Sequence, residues 1–312
     1  MSRLRIIFMG TPEFALPALQ ALHDSPHILA LVVTQPDRPR GRGRKLTPPP
    51  VKLAAAELGY PVFQPESVKT EQSLEILREY RPDLFVVVAF GHILPKRLLE
   101  MPAMGAVNLH ASLLPKYRGP APIQWAIING ESETGVTSML MDAGLDTGEI
   151  LMADKTPIQA DDTAGTLHDR LSRLSADVLK KTLAGFASET IRPMAQNHAL
   201  ATYAPLLKKS DGHLDWSRPA PDLERLIRGL SPWPGAFTYW GEKRLNIFRA
   251  EVRPQSEDAP PGTVIRAFDN ELRVAAGKEA LSILEIQGAS GRRMEIGEFL
   301  KGSPIPAGTV LA

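Results

Sequence analysis

Asn108 and His110 stand two residues apart in a stretch, 106–111, that can form a short strand, so their side chains would share one face. That places a carboxamide donor beside an imidazole. From 112 to 122 regular structure cannot continue, because Pro115, Gly119, Pro120 and Pro122 break both helices and ladders. The two polar groups therefore sit where a strand gives way to a loop. In open α/β sheets, ligands bind at such strand ends. Further on, Asp146 lies between the turn residues Gly144 and Gly148. A carboxylate there is expected to reach His110, hold it and favour its protonated form. An oxyanion donor, a proton carrier and an orienter suit acyl transfer to an amine. Taken by themselves, an Asn-x-His pair and an Asp between glycines also occur as packing and turn residues, so spacing leaves that alternative open.

The surrounding motifs are Asn-Leu-His at 108–110, Ser-Leu-Leu-Pro at 112–115, Tyr-Arg-Gly-Pro-Ala-Pro-Ile-Gln at 117–124 and Asp-Ala-Gly-Leu-Asp-Thr-Gly at 142–148. They resemble the signature of the formyltransferase family that uses 10-formyltetrahydrofolate. Gly-Thr-Pro-Glu-Phe at 10–14 and the basic run at 35–45 resemble the branch whose acceptor is initiator methionyl-tRNA. The resemblance runs in order over nearly the whole chain. It implies transfer of a formyl group from 10-formyltetrahydrofolate to the amino group of that tRNA, with Asn108, His110 and Asp146 as catalytic residues. It also implies folate contacts from Ser112, Leu113, Leu114 and Pro115, and places the Phe90–Gly91 turn near the pterin. It implies tRNA contacts from Arg38, Arg40, Arg42, Arg44 and Lys45, with Arg42 reading the acceptor end. From the residues alone, this run is equally a solvated face or a sequence-independent phosphate contact. Three rivals remain: transfer to an amino sugar nucleotide, hydrolysis of the folate, and RNA binding without catalysis.

The elements that must position these groups follow a strand–helix alternation. Strands are expected at 4–8, 28–34, 83–89, 106–111 and 134–141, with helices from 14, at 52–58, 71–80, 123–129 and 163–186. An edge or hairpin segment is expected at 149–157. This pattern predicts an α/β, Rossmann-like, mostly parallel sheet with helices on both faces over residues 1–188. Only one glycine stands in the first strand–helix turn, so no dinucleotide site is expected. The Pro- and Gly-rich basic run is expected as a mobile loop to about Pro50. Residues 189–207 read as a linker. Residues 208–312 read as a separate unit: a helix at 221–230, then five short strands between 236 and 287, suited to a small β-barrel. The resemblance makes that barrel OB-like and tRNA-binding. Trp216, Trp233 and Trp240 are expected in its core.

Composition limits the chemistry. The chain of 312 residues has no cysteine, which excludes disulfides and thiol catalysis. No histidine pair has metal-helix spacing and no P-loop is present, so neither a metal nor a nucleotide cofactor is expected. Net charge is +1, so a polyanion must be met by local clustering such as 38–45. The longest apolar run, 84–90, cannot span a bilayer, and residues 1–8 are too short in their apolar part for a signal peptide. A bacterial cytosolic protein is expected, with no membrane and no obligate protein partner evident.

Overall fold

The computed structural model describes residues 3–40, 43, 45–255, 258–268, 270–289 and 291–312. They form two compact units. The first comprises residues 1–122, 133–157 and 168–204, the second 123–132, 158–167 and 205–312.

In the first unit the strands are β1 (Arg5–Gly10), β2 (Ile28–Val33), β3 (Arg38–Arg40), β4 (Lys45–Thr47), β5 (Val62–Phe63), β6 (Leu84–Val88), β7 (Ala106–His110), β8 (Glu133–Leu140) and β9 (Ile150–Pro157). Seven of them build one sheet in the order β5-β2-β1-β6-β7-β8-β9. The run from β5 to β7 is parallel, while β8 and β9 add antiparallel strands at one edge. The sheet is thus mostly parallel. β6 is buried along its whole length, which explains its unbroken Leu-Phe-Val-Val-Val sequence. β9 has one buried residue, Leu151, and then alternates half-buried with exposed ones, as an edge strand does.

Helices α1 (Leu16–His23), α2 (Pro50–Glu57), α3 (Glu71–Glu79) and α4 (Lys96–Leu99) connect these strands. The chain runs outward from β1 to β5 and returns to β6 on the other side of β1. Right-handed crossovers then put the outgoing and returning helices on opposite faces. On one face Leu74 and Leu77 of α3 and Leu98 of α4 pack with Ile7, Met9, Leu31, Phe85 and Val87. Helix α3 starts at Thr70, whose side chain accepts from the Ser73 N–H. Strand order reverses between β1 and β6, so their carboxyl ends, with that of β7 beside them, frame the crevice where such sheets bind ligands.

The basic run differs from expectation. Arg38–Arg40 and Lys45–Thr47 pair as an antiparallel hairpin, with Arg38 opposite Thr47 and Pro39 opposite Leu46. A two-stranded ribbon has an unpaired edge on each strand, so one proline is tolerated there. Arg42 and Arg44 lie outside the described residues.

Helices α5 (Pro122–Ile128) and α6 (Ala164–Ala187) each contribute residues to both units. Residues 189–204 run along the first unit: Met194 exchanges backbone hydrogen bonds with Ile150, and the Ala204 N–H donates to the Arg118 carbonyl.

In the second unit α7 (Ala220–Gly229) precedes β10 (Ala236–Trp240), β11 (Lys243–Arg253), β12 (Val264–Phe268), β13 (Glu271–Ala275), β14 (Ala280–Gln287), β15 (Met294–Glu295) and α8 (Ile296–Gly302). The five expected strands order as β10-β11-β14-β13-β12, and β15 adds to β14. The last residues close this sheet. Thr309 and Leu311 bond to Val264 and Gly262 beside β12, while Ala312 exchanges two hydrogen bonds with Tyr239 of β10. Both edges are thereby covered and the sheet becomes a small barrel. Trp216 is buried, its Nε1 donating to Thr238 Oγ1 at 2.9 Å. Trp240 is half-buried at the end of β10. Trp233, expected in the core, is instead 51% exposed. It lies between Pro232 and Pro234 in the turn after α7, where no strand alternation carries its ring inward.

Candidate active site

Strand β7 carries the two groups singled out first. Its central position, between β6 and β8, pairs Asn108 with Val87 and Met139, and His110 with Thr137. His110 is buried, and its Nε2 lies 2.9 Å from the Tyr117 carbonyl oxygen. A carbonyl only accepts, so Nε2 carries hydrogen and the exchangeable nitrogen is Nδ1. Nδ1 faces Asp146 Oδ2 at 3.7 Å. That distance is beyond a direct hydrogen bond. The ring is therefore held by Tyr117, and Asp146 provides charge beside it. Asn108 is half-buried, and its carboxamide makes no hydrogen bond among the described residues.

Asp146 is held from two sides. Its Oδ2 accepts from the Gly119 N–H at 2.8 Å. Its backbone carbonyl accepts from Gln196 Nε2 at 2.9 Å. Asp146 and Tyr117 both adopt left-handed backbone, with φ of 53° and 59°. Such strained positions in non-glycine residues collect at functional sites. The Asp146 turn closes tightly: Asp142 Oδ1 accepts from the Gly144 N–H and the Thr147 hydroxyl. A Cβ on Gly148 would stand 1.6 Å from the Leu140 carbonyl, so only glycine fits there.

The 112–115 segment is tied into the fold. Ser112 is fully buried and its hydroxyl donates to the Lys116 carbonyl at 2.7 Å. Thr137 Oγ1 donates to the Ser112 carbonyl and accepts from the Leu114 N–H. Leu114 is buried, while Leu113 lies against Gly135 of β8 and, like Pro115, is half-buried. On the neighbouring strand end, Phe90 is buried and stacks on His92 with ring centroids 5.1 Å apart. Its carbonyl accepts from Thr11 Oγ1 and Gln35 Nε2, which joins the ends of β1, β2 and β6. Gly91 follows with φ of 81° and is exposed.

Among the basic residues, Arg38 and Lys45 are exposed on the hairpin. The hairpin is rooted at Asp37, which accepts from Lys52 at 2.8 Å and from Gln64 at 2.8 Å. The Gln64 hydrogen bond, then Lys52, hold the Asp37 carboxyl below its usual range. Partial burial, then the charge of Arg38, lower the basicity of His92 beside Phe90.

No sequence signal marks Gln196, which lies fifty residues from Asp146 in a stretch of low apolar content. Nor did it mark Arg118, Thr137, Thr11 or Gln35 as residues that hold these loops. Tyr117 acts through its backbone, which no side-chain pattern reveals.

Compared with known proteins, residues 3–183 match the formyl transferase family and residues 206–304 match the formyl transferase C-terminal domain. A methionyl-tRNA formyltransferase of Desulfotalea psychrophila is 54% identical over 308 residues, covering 99% of this chain and 95% of that one. One of Caldanaerobacter subterraneus subsp. tengcongensis is 51% identical over 309 residues, covering 99% of this chain and 100% of that one. Among solved structures, an N-formyltransferase from Helicobacter canadensis in complex with folinic acid and dTDP-3-aminofucose shares the fold, with TM-score 0.65 and 18% identity over 90% of this chain and 99% of that one. With both of its units matched and such identity along its length, the chain belongs to the formyltransferase family.

Proposed function

We propose that this chain transfers the formyl group of 10-formyltetrahydrofolate to the amino group of initiator methionyl-tRNA, with Asn108, His110 and Asp146 as the catalytic residues. The observation that carries the site assignment is the His110 ring, locked by Tyr117 at Nε2 and facing Asp146 with Nδ1, on the same strand face as an unpaired carboxamide. The choice of acceptor is supported by full-length relatives named for methionyl-tRNA, at about half identity.

Two features at the strand ends support a site for a flat heteroaromatic ring there. Gly91 offers backbone without a side chain, since a Cβ there would meet Gln35 Nε2 at 2.5 Å. Ile93 and Leu145 leave apolar surface exposed on the two flanking loops. Phe90, Gly91 and the 112–115 segment would hold the folate. When bound, it supplies the formyl carbon and a nitrogen leaving group. The chain's own residues do the rest. His110 in its protonated form presents a second N–H at Nδ1, offset by the Asp146 charge. That N–H and the Asn108 amide are the donors for the oxyanion that forms at the formyl oxygen. In a preorganised site, one such donor accelerates the reaction by about 10²–10³. Asp146 Oδ1 carries no hydrogen bond among the described residues, so it is free to take the amine proton and to pass a proton on to the leaving nitrogen, directly or through water.

Arg38 and Lys45, with Arg40, Arg42 and Arg44 of the same run, would meet the phosphates and acceptor end of the tRNA. No helix among the described residues is long and apolar enough to cross a membrane. The bacterial cytosol, where charged tRNA and folate meet, is the proposed location.

The test is formyl transfer measured with charged initiator tRNA, charged elongator tRNA and an amino sugar nucleotide, with formate release followed alongside. Preference for charged initiator tRNA is expected. Preference for the amino sugar, or formate release without an acceptor, would overturn the assignment.

A further inference from the structure

The carboxamide of Gln196 is fully used. It is 6% exposed, and its Nε2 donates to the carbonyls of Asp146 and Gly148 at 2.9 and 2.7 Å. Its Oε1 accepts from Nε and Nη2 of Arg118 at 3.1 and 2.6 Å. Arg118 is itself 2% exposed, and the other polar contact of its guanidinium among the described residues is His198 Nδ1 at 3.1 Å. No carboxylate lies within ion-pair distance of it among the described residues. A buried cation with neutral partners is costly, so the arrangement needs a reason beyond stability.

The position of Arg118 supplies one. It is the middle residue of a turn whose backbone touches both reacting groups: Tyr117 accepts from His110 Nε2, and Gly119 donates to Asp146 Oδ2. Gln196 joins the side chain of that same turn to the backbone on either side of Thr147. The 117–119 turn that holds the His110 ring and the loop that carries Asp146 are thus cross-linked, and the left-handed Asp146 is kept from relaxing.

We propose that Gln196, aligned by the buried Arg118, is a positioning residue that fixes Asp146 opposite His110 Nδ1. This rests on the acyl-transfer reading of the site. Gln196 touches no reacting atom and acts through Asp146. Its loss should lower turnover and leave substrate binding in place. A displacement of about 1 Å in such a site costs on the order of 10²-fold.

The experiment uses the full chain with Gln196→Met and Gln196→Glu, each alone and combined with Asp146→Asn. Gln196→Met keeps volume and removes all four hydrogen bonds. Gln196→Glu keeps the acceptor for Arg118, now as an ion pair, and removes only the two donors to the Asp146 turn. Each single variant should lower kcat by roughly 10- to 100-fold, with KM for tRNA and folate within about 3-fold. In the Asp146→Asn background the further loss should be under about 3-fold, because a device that works through Asp146 has little left to position. If Gln196→Met does not fold, Gln196→Glu decides by the same criteria. Near wild-type kcat in the folded variants, or losses that multiply with that of Asp146→Asn, would overturn the proposal. A wild-type chain without formyl transfer would instead overturn the reading beneath it, and the two failures are distinct in the same assay.

Discussion

His110 shows how little of the candidate site's geometry rests on polar side chains. Its ring is set by a backbone carbonyl from a left-handed residue, Tyr117, and the opposed carboxylate is set by a backbone N–H from Gly119. The expectation from sequence was that Asp146 would orient the ring. At 3.7 Å it supplies charge, while Tyr117 supplies orientation. His110→Ala and Asp146→Asn are each expected to lower kcat by at least about 10² with the thermal midpoint little changed. If the two act as one unit, as proposed, the double variant should cost far less than the product of the singles. Steady-state kinetics beside thermal melts checks this, and an active single variant would remove that residue from the mechanism. Period-two spacing on a short strand made Asn108 and His110 legible as neighbours on one face, while their catalytic reading came from the resemblance of the motifs around them. The residues that hold the loops beside this pair were not legible, because Gln196 and Thr137 reach those loops only through the folded chain.

At the scale of elements, the strand–helix order was readable wherever apolar runs were long, as in β6 and α6. Short or charged elements escaped. β5 has two residues, α4 has four, and the hairpin of β3 and β4 is hidden by proline, glycine and charge. That hairpin rests on the Asp37–Lys52–Gln64 cluster. The Asp37 carboxyl is depressed in the folded state, so its contribution is present above the unfolded value and is lost as pH falls through the folded one. A thermal difference between wild type and Asp37→Asn should therefore persist at pH 5 and vanish only below about 3.9, the ordinary carboxylate value. A difference that vanished already at pH 5 would contradict the depressed carboxyl. The charges of the 38–45 run separate two roles. Arg38→Ala should weaken initiator and elongator tRNA alike and flatten the salt dependence, as loss of a phosphate contact does. Arg42→Lys should weaken discrimination between the two tRNAs by about 1–3 kcal/mol if its guanidinium meets a base. Folate affinity should be unchanged in both. Formylation of the two charged tRNAs at two salt concentrations distinguishes these outcomes, and equal losses from both variants would reduce Arg42 to a phosphate contact.

At the scale of the whole molecule, chain order and unit membership diverge. The second unit takes residues 123–132 and 158–167 out of the middle of the first unit's sequence. They are integral to it. Trp125 Nε1 donates to the Pro205 carbonyl, Arg228 donates to the Asp162 carbonyl, and a Cβ on Gly229 would stand 2.6 Å from Ile128. Periodicity reports each helix but not which unit buries it, so α5 read as one more helix of the first sheet. A cut after Leu207 would therefore leave two segments without the unit they pack in. Ile127 and Ile128, both buried in the intact chain, would be exposed. Apolar surface of that kind lowers stability and favours association. A chain of residues 1–207 is expected to melt lower and less cooperatively than the full chain and to self-associate. A chain of residues 208–312 is expected to lack the cooperative transition of the intact barrel unit, since it begins without those segments. Thermal melts and light scattering on the two fragments and the intact chain decide the matter. Two fragments that each melt sharply, as monomers, would show that the shared segments are dispensable and that the unit boundary lies at the single crossing near Leu207.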